Sequence, residues 1–288
     1  MFAVLIGLFA ALCWSVHDLL ARKFAEVVGS YRMAVATMLV GAGLLIGFVF
    51  SSGTIWQASP STLQLLLVLG VVYGIAVSSL FKAFSLAPIS IVGPFTAGYP
   101  ALVVLWGLFT GLAPTLLQYG AVGLILAGAA VVGRMGPEDG GLRSVAKGKI
   151  PTLILFCILA VVSFATAIVL GQMLSPAVGE VETTGLSRLP AALFILPFAL
   201  AEKPGVQKIS RSAWGGIALM ASLDVAAVAA INFMGALPGK EFGAMAISSY
   251  GAISVLLAMI ILKEKVTLGQ WSGIAMIIVG VGILGWPA

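Results

Sequence analysis

Few side chains in this sequence can do chemistry, and the informative ones interrupt long apolar runs. Asp224 stands inside the run 213–235, with Asn232 eight residues on and therefore on the same helical face. An ionisable group in such a setting reads first as functional: a carboxylate there can hold a substrate ammonium or exchange a proton. The plainer reading is an acid hydrogen-bonded to a neighbouring helix. Trp14, His17 and Asp18 form a second group, because spacings of three and four put them on one side of a helix. His17 is either a proton-coupled switch or a polar residue near a helix end, and Trp14 reads as a cavity wall or a packing residue.

Gly98-Tyr99-Pro100 predicts a bend, since proline removes a backbone hydrogen bond and crowds the preceding turn. Its counterpart later in the chain is Tyr250-Gly251-Ala252, so Gly98, Pro100 and Gly251 are the expected hinges. Bends at the middle of paired helices expose carbonyl groups and bring Tyr99 and Tyr250 to one level. Ser78 shares a stripe with Gly74 and with Lys82, whose long stem reaches toward a polar boundary. Ser248, Ser249 and Ser254 either line a path or join helices. The expected binding set is Trp14, His17, Tyr73, Ser78, Tyr99, Phe164, Asp224, Ser248 and Tyr250. No catalytic set is expected: the sole histidine has no G-x-S-x-G turn to serve, and no aspartates are paired. One histidine, with Cys13 and Cys157 both inside apolar runs, predicts no metal site, no disulfide framework and no cofactor.

The elements that must position these residues follow from composition. The 288 residues are 61% hydrophobic and 9% charged, against roughly 25% charged in a soluble domain. Apolar runs of about 20 residues recur along the chain, matching a hydrocarbon layer roughly 30 Å thick. Alternating ten-residue segments of a membrane β-barrel are absent. Ten spans are expected: 2–21, 31–50, 63–86, 89–111, 115–133, 151–173, 186–201, 213–235, 242–262 and 267–285. The first is expected to be a retained helix, not a cleaved leader. The net charge of +5 lies in short connections, so it reads as a topology signal and not as a nucleic-acid footprint.

The segments 98–133 and 250–285 echo one another at a shift of 152 residues, aligning Thr115 with Thr267, Gln118 with Gln270 and Gly128 with Gly280. Arg32 and Arg188 each precede an alanine by four residues, Ala36 and Ala192, which suggests a second correspondence. The fold class is therefore expected to be all-α integral membrane, ten transmembrane helices as two inverted five-helix repeats. Residues 1–133 form the first repeat, 134–150 the connecting loop and 151–288 the second. An odd number of spans per repeat inverts the second copy. The connections after spans one, three, five, seven and nine carry Arg22, Lys23, Arg134, Arg143, Lys147, Lys149, Lys203, Lys208, Arg211, Lys263 and Lys265, against Lys240 opposite. Counting Arg32 and Lys82 with the first set and Arg188 with the second keeps the bias, which puts both termini outside.

The run Lys263-Glu264-Lys265-Val266-Thr267, with Leu268 and Gln270 after it, resembles the G-E-R-x-T corner of the drug/metabolite transporter superfamily, EamA type. Ala83-Phe84-Ser85-Leu86-Ala87-Pro88 resembles that family's end of span three. The first repeat's Leu112-Ala113-Pro114-Thr115 keeps only the threonine. The resemblance implies export or exchange of amino acids and related metabolites through a central cavity, and termini inside, contrary to the charge count. The expected function is thus a secondary transporter in the cell inner membrane. Its substrates would be small amphipathic molecules, amino acids foremost and aromatic or hydrophobic ones among them, moved by alternating access. No ATP-binding motif is present, so a proton or an exchanged solute would be the coupling partner. The alternatives are an intramembrane enzyme and a non-transporting scaffold.

Overall fold

The computed structural model describes residues 1–87, 89–134, 145–202, 210–263 and 266–285. Among these the chain forms twelve α-helices: α1 Phe2–Val28, α2 Ser30–Ser52, α3 Pro60–Leu86, α4 Ile89–Thr96, α5 Tyr99–Phe109, α6 Leu116–Arg134, α7 Ile150–Val178, α8 Glu180–Ala201, α9 Arg211–Met234, α10 Lys240–Ile247, α11 Ser249–Leu257 and α12 Leu268–Gly285. Helix is the dictated choice, because in lipid it satisfies every backbone group within one segment. The pairs α4–α5 and α10–α11 are each one interrupted crossing, which gives ten transmembrane helices in two inverted repeats of five. α6 and α12, at 19 and 18 residues, are the shortest uninterrupted ones.

Packing follows the duplication. α2 lies along α8 and α6 along α12, each helix meeting its own counterpart, while α3 on α7 is mirrored by α9 on α1. A two-fold relation between the repeats requires this pattern. Where α6 crosses α12, a Cβ on Gly128 would stand 2.7 Å from the Gly273 carbonyl oxygen and one on Gly280 2.9 Å from that of Ala121. Hydrogen in place of a side chain is what lets these backbones touch.

The helix joints fix the register between repeats. Gly29 (φ 93°, ψ 146°) joins α1 to α2, and Gly179 (φ 101°, ψ 150°) joins α7 to α8 in the same left-handed-side conformation. Matching these glycines shifts the chain by 150 residues and pairs Arg188 with Met38, Arg32 with Glu182. The equivalence of Arg32 and Arg188 expected from sequence is therefore wrong. The seventh span is also longer than expected, opening at Glu180 and not at 186, so Arg188 lies well inside the helix and not at the membrane boundary. It drops out of the boundary charge count. Arg32 does sit at a boundary, where it donates to the carbonyls of Ala199 and Glu202. The Glu202 carboxylate in turn accepts from the backbone N–H groups of Ser30, Tyr31 and Arg32, three of the four donors that a helix start leaves free.

The interruptions lie at Ala97–Gly98 and at Ser248. Pro100 is the second residue of α5, where a missing N–H costs nothing, so it opens a helix instead of kinking one. Gly251 is not at the break: it lies three residues later inside α11, and a Cβ there would meet Ala97 and Pro94 at 3.2 Å. It is a contact point between the two interrupted crossings. The ninth span ends in a wide turn over Ala258–Leu262, closed by Lys263 with φ 56°. Glu264 and Lys265, Pro88, and most of the connecting loop lie outside the described residues.

Candidate functional site

Two serine caps set the next register. Ser59 accepts from the Thr62 N–H to start α3, and Ser210 accepts from the Ala213 N–H to start α9. They are 151 residues apart, which makes Tyr73 on α3 the counterpart of Asp224 on α9. These two touch: the Tyr73 hydroxyl donates to Asp224 Oδ1 at 2.6 Å. The 150-residue register of α1 and α7 likewise pairs Trp14 with Phe164, whose rings lie 6.1 Å apart. Met38 and Arg188, paired above, also meet, sulfur to guanidinium at 3.5 Å. Equivalent residues can meet only where the two-fold axis passes, so three such contacts locate the axis and the polar centre together.

Asp224 is satisfied on both oxygens. Oδ1 accepts from Tyr73 and from the Trp14 indole at 3.0 Å, and Oδ2 pairs with the Arg188 guanidinium. Arg188 has 0% exposure and lies over the Tyr73 ring, its Cζ 4.7 Å from the centroid. The guanidinium is less fully matched than the carboxylate: its Nε and Nη2 are buried without a hydrogen-bond partner.

Beside this centre lies a narrow cavity with room for a water or two, about 20 Å³ for the centre of a water-sized sphere. Its walls are Trp14, His17 and Asp18 from α1, Tyr73, Val77, Leu80 and Phe81 from α3, Tyr99 from α5, Phe164 from α7, Asp224 from α9 and Tyr250 from α11. A second space of the same size shares Trp14, Tyr73 and Phe164 as wall and continues past Gly171, Ser187 and Ile231 to Asn232. From the direction of each helix, the first space lies toward the side where α1 and α3 end, the second toward the side where α7 and α9 end. Trp14, Tyr73 and Phe164 are thus a septum between two stacked chambers.

Of the nine binding residues expected from sequence, seven line the first cavity: Trp14, His17, Tyr73, Tyr99, Phe164, Asp224 and Tyr250. Ser78 does not; its hydroxyl donates to the Gly74 carbonyl of its own helix at 2.6 Å. Ser248 is buried at the α10–α11 break, outside the cavity wall. Asn232 is turned from Asp224 toward α8, donating to Thr184 Oγ1 at 3.0 Å. Lys82 places its Nζ 5.8 Å from the Tyr31 ring centroid. Tyr250 lies inside α11, past the break: its carbonyl accepts from Ser15 Oγ at 3.0 Å, and its hydroxyl shares a short hydrogen bond with Thr96. Sequence reasoning missed Arg188, although a lone arginine in an apolar run was signal enough once the span is started at Glu180. Asp18, outside the expected binding set, is also in the wall. Among the described residues no group of three histidine, cysteine or acidic side chains is placed to hold a metal ion.

Among curated proteins none matches the sequence. A solved crystal structure of a protein 20% identical in sequence matches with a TM-score of 0.76, over 98% of this chain and 96% of that one, a likeness of fold alone. The EamA-like transporter family model matches residues 1–134 and 151–286, one match for each half of the two-fold arrangement. With ten helices in two repeats about a buried polar centre, this multi-pass membrane protein belongs to the EamA-like transporter family.

Proposed function

We propose that the protein is a secondary carrier of small amphipathic metabolites, amino acids foremost and those with hydrophobic or aromatic side chains among them. It would work as an exporter or facilitator in the cell inner membrane. The observation that carries this reading is the pair of cavities that flank the axis relating the repeats, one toward each side of the Trp14–Tyr73–Phe164 septum, which rocking of one repeat against the other would open in turn. The wall of the first supplies apolar rings for a solute body and a few polar side chains, Asp18, His17 and Tyr99 among them, the composition of a small-molecule site. Trp14, His17, Tyr73, Tyr99, Phe164, Asp224 and Tyr250 are the proposed site, with movement taken up at Gly98–Pro100 and around Ser248. Residues 1–133 and 151–288 would move as the two units. A proton or an exchanged solute would supply the energy.

A transporter family favours this over an intramembrane enzyme or a scaffold. Counterflow in liposomes, screened over amino acids, sugars and quaternary amines, is the test. Exchange of labelled amino acid with no covalent change is the expected result. Product formation, or no exchange of any solute, would sink the reading.

A further inference from the structure

The cavity wall carries two carboxylates, and their surroundings differ. Asp224 is already engaged by Arg188, Tyr73 and Trp14, which neutralise it and use most of its acceptor positions. Asp18 is 2% exposed and, among the described residues, has His17 alone as partner, with Nδ1 2.9 Å from Oδ1. Since the carboxylate accepts, Nδ1 donates, and a neutral ring then leaves Nε2 as an acceptor. That Nε2 is buried without a partner, as is the Tyr99 hydroxyl.

Rings enclose this spot. Trp14, Tyr99 and Phe164 lie 5.8 to 6.2 Å from one another, and Phe81 lies 5.5 Å from His17. No lysine or arginine is in the wall; Arg188 lies over the Tyr73 ring and pairs with Asp224. A buried carboxylate whose one partner is an imidazole, walled by aromatic faces, attracts a cation and repels an anion.

We propose that Asp18, assisted by His17 Nε2, anchors a cationic nitrogen of the transported solute, and that Asp224 does not. This deepens the carrier reading and rests on it. The ligand is a primary amine or an amino acid with an apolar body, the ammonium group being common to both.

The test is equilibrium binding to the full-length protein in lipid nanodiscs, which needs no transport. The probes are 2-phenylethylamine, phenylalanine, the uncharged 2-phenylethanol and the anionic 3-phenylpropanoate. The amine or phenylalanine should bind at least tenfold tighter than the alcohol, and the anion weakest; which of the two cations binds better separates amine from amino acid as the source. Asp18→Asn should bring the amine-to-alcohol ratio close to one, and the milder His17→Gln should lower it about threefold. A ratio to the alcohol near one for both the amine and phenylalanine in the wild type, or the ratio of the tighter-binding cation kept in either variant once it elutes as a single folded species, overturns the proposal. Binding with the expected ratio but no counterflow in liposomes would instead defeat the carrier reading and leave this site standing.

Discussion

Tyr73 and Asp224 occupy equivalent positions of the two repeats and are hydrogen-bonded to each other at 2.6 Å. A duplicated chain begins with identical residues on its axis, and two identical carboxylates there would repel. Divergence to Tyr and Asp, Met38 and Arg188, Trp14 and Phe164 turns the axis into an ion pair with neutral donors around it. The asymmetry of the site is concentrated where symmetry is strictest.

Breaking the Arg188–Asp224 pair from one side should be worse than removing both. Asp224→Asn or Arg188→Met leaves a buried charge without its partner, a loss of about 3–5 kcal/mol, so each single variant should unfold at markedly lower temperature in detergent. The double variant Arg188→Met/Asp224→Asn, whose amide oxygen still accepts from Tyr73 and Trp14, should recover most of that loss. Thermal unfolding of the four proteins decides; additive losses in the double variant would mean that the pair is not coupled.

Tyr73→Phe keeps the ring beneath Arg188 and removes one donor to Asp224. Loss of a hydrogen bond to a charged group costs about 1.5–3 kcal/mol. Stability should fall by that amount while the cation–π contact persists. A wild-type melting temperature for this variant would show that Trp14 and Arg188 suffice to hold the carboxylate.

Glycines of one helix should respond differently to the same change. Gly128→Ala places a methyl 2.7 Å from the Gly273 carbonyl oxygen, while Gly123→Ala meets nothing within 4 Å. The first should destabilise by about 1–3 kcal/mol through overpacking, and the second should be neutral. Equal effects in an unfolding assay would contradict the close crossing of α6 and α12.

The excess of basic residues on one face sets the expected topology. Lys147→Cys should resist an impermeant maleimide in intact cells and react once the membrane is opened, whereas Lys240→Cys should react at once. The reverse labelling pattern would put the termini inside, as the family resemblance implies.

Much of this architecture is legible before any coordinates. Apolar run length fixes the number of crossings, because hydrocarbon thickness and helical rise leave little freedom, and the echo between 98–133 and 250–285 announces the duplication. Isolated polar residues such as Asp224, His17 and Tyr99 stand out against that background, which is why most of the cavity wall was readable. Register between the repeats was not. It depends on the conformations of Gly29 and Gly179 and on the serine caps at Ser59 and Ser210, features that a chance match such as Arg32 with Arg188 can outweigh by eye. Only the packed bundle decided that Asp224 meets Arg188 and that Asp18 meets His17 instead. Partners 36 and 210 residues apart in the chain are chosen by helix packing within and between the repeats, and no local pattern encodes that choice.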